Sequence, residues 1–142
     1  MNNFEQGIGN ANNVERTESI EKFKSGVDLT ITKTPEKSAE VVADAIFNEV
    51  IDAARADCRY VVGLSGGKSQ TRISTALVEK FRAQADELKS LSFDKIVFLP
   101  TEVVWKEDPS AKESIVANQT KKELEIPLNE IGINANFYYA SN

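Results

Sequence analysis

Residues 60–71 read Tyr-Val-Val-Gly-Leu-Ser-Gly-Gly-Lys-Ser-Gln-Thr, and no other stretch limits the fold as much. The apolar, β-branched run Tyr60-Val61-Val62-Gly63-Leu64 predicts a buried strand. It breaks at Ser65-Gly66-Gly67, where two adjacent glycines let the backbone turn sharply and expose its N–H groups. A helical pattern follows at once and aims its positive end into the same space. That geometry holds an anion, usually a phosphate. Strand, glycines, a lysine and a hydroxyl coincide here, which favours phosphate binding over a bare Gly-rich turn. The candidate phosphate-binding residues are Ser65, Gly66, Gly67, Lys68 and Ser69.

Elements on either side extend the pattern. Residues 1–26 are polar and Asn-rich and predict a disordered arm with a short helix near residues 15–24. Val27-Asp28-Leu29-Thr30-Ile31-Thr32 alternates as a strand. Thr34-Pro35-Glu36 then combines an N-cap, a first-turn proline and an acid suited to the helix dipole. The helix it opens runs to about Ala56, with Val42, Ala45, Ile46, Val50, Ala53 and Ala54 as its apolar stripe. After the glycine loop, Ile73, Ala76, Leu77 and Phe81 mark one face of a second helix, which ends near Asp86-Glu87-Leu88. Lys95-Ile96-Val97-Phe98-Leu99 is a third strand, stopped by Pro100. A weaker helix is expected over 110–124, a connection at Ile126-Pro127-Leu128, and a last strand at Asn136-Phe137-Tyr138-Tyr139.

Strands that alternate with helices predict an α/β fold: three layers, α-β-α, around a mainly parallel, Rossmann-like sheet. The nearly all-apolar second strand fits a strand buried on both faces. Residues 27–142 then make one domain. Ligands of such sheets collect beyond the carboxyl ends of the strands, which puts the glycine loop and Thr101-Glu102-Val103-Val104-Trp105 on one rim.

Composition bounds the chemistry. The 142 residues are 41% hydrophobic and 27% charged, ordinary globular values. A net charge of −5 argues against a nucleic-acid partner, which demands a basic surface. It leaves room for a small phosphorylated ligand that needs only local positive potential. The sequence contains no histidine, which excludes a His base and a His metal ligand. With Cys58 the only cysteine, no metal site and no intrachain disulfide are expected, and no cofactor is implied. No apolar run approaches membrane-spanning length and no secretory signal is visible, so a soluble, cytoplasmic protein without a membrane partner is expected.

Three phosphate-loop patterns compete for residues 63–70. A Walker A loop needs one residue more between its glycines than Gly63-Leu64-Ser65-Gly66-Gly67-Lys68-Ser69 offers. This nucleotide-binding alternative also lacks a clear Mg²⁺-binding Asp at the end of a later strand. The ATP-pyrophosphatase pattern Ser-Gly-Gly-x-Asp-Ser begins alike but requires an Asp that is missing. Leu64-Ser65-Gly66-Gly67-Lys68-Ser69-Gln70 resembles, without a gap, the Leu-Ser-Gly-Gly-Ser-Thr-Pro loop of the 6-phosphogluconolactonase and glucosamine-6-phosphate deaminase superfamily. Upstream, residues 29–54 look like that family's opening strand and long helix. Downstream, Ile96-Val97-Phe98-Leu99-Pro100-Thr101-Glu102-Val103-Val104-Trp105 is similar to its strand ending in Phe-x-x-Asp-Glu-Arg-Trp, and Asp108-Pro109 imperfectly resembles its Asp-x-Pro-x-Ser segment.

The resemblance covers the first half of the family domain, in order. It implies a sugar-phosphate ligand and a place in carbohydrate metabolism, and it makes Glu102 the remaining candidate catalytic residue. Thr101 stands where the family has its catalytic Asp, and Lys68 and Gln70 replace a hydroxyl residue and the Pro. The family's Gly-rich segment with a catalytic His has no counterpart. The resemblance thus implies either a domain that binds without turnover or half of an active lactonase or deaminase. A truncated sheet also leaves an open edge and an uncovered apolar face, so a homo-oligomer or a partner chain that completes the sheet is expected.

Overall fold

A computed structural model describes residues 18–22, 28–102 and 114–140. Glu18–Lys22 (β1) and Asp28–Ile31 (β2) form an antiparallel two-stranded sheet. Residues 18–22 are thus a strand, where the sequence predicts a disordered arm with a short helix; the rest of that arm lies outside the described residues. A long helix, Pro35–Arg55 (α1), is capped as predicted, the Thr34 hydroxyl accepting from the Lys37 N–H at 3.1 Å. Tyr60–Leu64 (β3), Lys68–Ala83 (α2), the short Ala85–Leu88 (α3) and Ile96–Pro100 (β4) follow in order. The chain continues through Ile115–Thr120 (α4), a wide π turn at Lys121–Glu125, Ile126–Glu130 (α5) and Asn136–Phe137 (β5).

The fold is mixed α/β, and β3, β4 and β5 make a small parallel sheet in that order. The first predicted strand is not among its members, because β2 pairs with β1 instead. Side chains from α1, α2 and the helix over 115–130 join one core cluster with Val62, Leu64, Ile96 and Phe98, which share a sheet face. Val61 and Leu99 lie on the opposite face and are 48% and 40% exposed. The expectation that β3 is buried on both faces is therefore corrected: among the described residues its packed side is single.

The stripe of α1 is also rotated from the predicted one. Ala39, Ala43, Phe47, Val50 and Ile51 are buried, whereas Val42 is exposed. At the centre of the helical layer Phe81 is fully buried, edge-on to Phe47 at 4.9 Å and to Phe93 at 6.0 Å between ring centres. Arg72 of α2 reaches Glu36 of α1 at 2.9 Å, and Lys80 pairs with Asp44 across the same helix pair.

The predicted connection at Ile126-Pro127-Leu128 is helical instead. Inside an ordinary helix the Pro127 ring would strike the carbonyl of Glu123, four residues back. The wide turn just before it relieves that clash; there the Ile126 N–H reaches back five residues to the Lys121 carbonyl. No helix among the described residues is long and apolar enough to cross a membrane.

Two substitutions test this packing. Phe81→Ala removes the ring shared by α1, α2 and the approach to β4, and a loss of about 3–5 kcal/mol in urea unfolding is expected. Thr120 is 2% exposed, and its hydroxyl has no hydrogen-bond partner among the described residues. Thr120→Val keeps the shape, removes an unpaired buried group and is expected to raise stability by about 1 kcal/mol or more. A Thr120→Val chain no more stable than the parent would mean that the hydroxyl is satisfied in solution.

Candidate functional site

The site grows from the carboxyl ends of β3 and β4. Strand β3 ends at Leu64, whose carbonyl accepts from the Thr101 N–H at 2.7 Å and from the Thr101 hydroxyl at 3.0 Å. Both donors of Thr101 are thus spent on holding β4 to β3. Its methyl group lies against the backbone of Gly63: a Cβ there would meet Thr101 Cγ2 at 3.0 Å. A glycine inside a strand signals such close approach.

Glu102, one residue further, brings its carboxylate to the glycine loop. A Cβ added to Gly66 would lie 3.7 Å from Glu102 Oε2 and only 2.8 Å from Val116 Cγ2. Gly66 is therefore glycine because helix α4 packs directly on it. Gly67 has a different reason. Its φ of 89° and ψ of −171° fall in a region essentially reserved for glycine, although no described residue stands within 4 Å of its Cβ position.

Gly67 is also the N-cap of α2, which starts at Lys68. Lys68 and Ser69 are therefore first-turn residues whose N–H groups have no partner within the helix. Lys68 is exposed and forms an ion pair with none of the described residues. Ser65 is exposed as well. The Ser69 side chain lines a shallow pocket of about 110 Å³ between the amino ends of α1 and α2, together with Pro35, Ser38, Val42, Arg72 and Ile73. Outside that pocket, the Glu36 carboxyl is held below its ordinary range, first by a backbone hydrogen bond at its own residue and then by Arg72.

One partner of the loop was not predicted. Gln119 accepts from the Gly67 N–H at 3.1 Å and donates to the Gly67 carbonyl at 2.9 Å. Its amide also donates to the Thr71 hydroxyl and to Glu123. The Gly67 N–H is therefore engaged, whereas the N–H groups of Gly66, Lys68 and Ser69 have no partner among the described residues. A polar residue 52 positions away in a weak helix carries no sequence signal for this role. Ser114 caps that helix, accepting from the Ala117 N–H at 3.0 Å.

The five candidate phosphate residues and Glu102 thus come together on one rim. Trp105 and Asp108-Pro109 lie outside the described residues. No family model and no curated protein matches the chain.

Gly67→Ala tests the backbone reading. A side chain that meets no neighbour but forces a glycine-only conformation is expected to cost about 1–3 kcal/mol in urea unfolding. An unchanged midpoint would show that the loop relaxes to an ordinary conformation.

Proposed function

We propose that this chain is a sugar-phosphate-binding domain of the kind found in the first half of 6-phosphogluconolactonases and glucosamine-6-phosphate deaminases, with little or no turnover of its own. The observation that carries this reading is the convergence of Glu102 with the glycine loop. Two segments that resemble consecutive motifs of one family meet at a single rim, and the amino end of α2 opens there. The N–H groups of Gly66, Lys68 and Ser69 and the charge of Lys68 suit a phosphate monoester.

Catalysis is the weaker half of the family's apparatus here. The family's Asp is replaced by Thr101, which is bound to the Leu64 carbonyl. A positioned general base near neutral pH contributes about two to four orders of magnitude in rate, and among the described residues of the rim Glu102 is the one candidate. A three-layer, Rossmann-like arrangement belongs to this same reading, with further strands and helices covering the face of Val61 and Leu99. Those exposed side chains favour a second possibility, an active lactonase or deaminase completed by additional residues, a second copy or a partner chain. A soluble, cytoplasmic setting accords with either.

Thermal unfolding with millimolar 6-phosphogluconate, glucosamine 6-phosphate and inorganic phosphate separates these outcomes. At about a hundredfold excess over its dissociation constant, a ligand is expected to raise the unfolding free energy by about 2.7 kcal/mol. Ser69→Ala is expected to weaken binding by about 1.5–3 kcal/mol if its hydroxyl meets a charged oxygen. Lactone hydrolysis and ammonia release are expected to stay near background. Three ligands that leave the melting temperature unmoved would make the loop a plain turn; enzyme-like turnover that survives Glu102→Gln would refute the assignment of that residue.

A further inference from the structure

We propose that Gln119 is a positioning residue of the glycine loop, pinning Gly67 at the amino end of α2 where N–H groups would face an anion. The inference rests on the reading of that loop as an anion site and adds the part of the chain that holds its shape. Gln119 touches both main-chain groups of Gly67, and these belong to different peptide planes. The N–H lies in the plane joining Gly66 to Gly67, and the carbonyl in the plane joining Gly67 to Lys68. In a trans peptide the C=O and N–H point in opposite directions. The Gly67 carbonyl accepts from Gln119 and, as the first bond of α2, from the Thr71 N–H at 3.2 Å, so the Lys68 N–H points the opposite way, out of the amino end of α2.

The amide's two N–H groups are shared among three acceptors, and its orientation is fixed by which end meets a donor. Its oxygen faces a donor, the Gly67 N–H, while its nitrogen faces three acceptors: the Gly67 carbonyl, Thr71 Oγ1 at 3.0 Å and Glu123 Oε2 at 3.1 Å. Thr71 in turn donates to the other Glu123 oxygen at 2.8 Å. Glu123 so fixes Gln119 and Thr71 together, and Gln119 fixes Gly67. Without that support, a glycine in so sparsely populated a conformation has wide freedom to leave it. An anion would then have to order the loop as it binds, at a cost in affinity.

Gln119→Met keeps the length of the side chain and removes its hydrogen bonds. Thr71→Val, nearly isosteric, breaks one link of the support and guards against misfolding of the first variant. Amide NMR gives two readouts, hydrogen exchange at Gly67 and titration of the Lys68 and Ser69 N–H signals with inorganic phosphate and 6-phosphogluconate. In the unaltered chain the Gly67 amide is expected to be protected. In Gln119→Met that protection should fall, with an affinity loss of about tenfold, the equivalent of one hydrogen bond. Thr71→Val should fall between the two. Equal affinities in the unaltered and Gln119→Met chains, with the anion bound at Lys68 and Ser69, would overturn the positioning role alone. No titration in the unaltered chain would overturn the anion reading and this role with it.

Discussion

The burial of Phe81 is what the helical layer closes on. Its ring meets Phe47 from α1 and Phe93 from the approach to β4, so two helices and a sheet connection share one contact. Edge-to-face pairs of this kind add to the stabilisation from burial itself. They also fix α2 along its axis. The amino end of α2 is then set beside the carboxyl ends of β3 and β4 and within reach of the helix over 115–130. Everything at the rim follows from that placement.

Three segments distant in sequence meet there with distinct tasks. β3 and α2 supply the turn, and its two glycines are glycine for unlike reasons. Val116 presses on Gly66, while the backbone of Gly67 occupies a conformation few other residues tolerate. The end of β4 supplies Thr101 and Glu102, one turned inward to the Leu64 carbonyl and the other exposed beside the loop. Helix α4 supplies Gln119. The first two contributions concern shape and charge; the third concerns how firmly the shape is held.

Local signals made much of this legible. The strand–glycine–helix unit, the Thr34-Pro35 cap and the strand at Ile96–Pro100 follow from residue type and spacing, because each is decided within a few residues. What was not legible depends on partners far along the chain. β2 alternates as a strand should, yet alternation does not say that β1 rather than the parallel sheet receives it. The apolar residues of α1 suit more than one stripe, and packing against α2 buried Phe47 and Ile51 while leaving Val42 exposed. Pro127 reads locally as a break, and only the wide turn before it lets the helix continue. Gln119 has no local signal, since its partner is a main-chain group 52 residues away.

The wide turn has a geometric consequence for the last helix. Val116, Thr120, Leu124 and Leu128 are buried at a strict spacing of four. On a regular helix of about 3.6 residues per turn, each step of four overshoots a full circle by about 40°, so three steps would swing Leu128 roughly a third of the way round from Val116. A turn closed by a five-residue hydrogen bond holds more residues and takes part of that overshoot back. The segment thereby keeps one azimuth toward the core over its whole length. It also keeps Gln119 and Glu123, each one residue before a buried position, aligned on the side that faces α2.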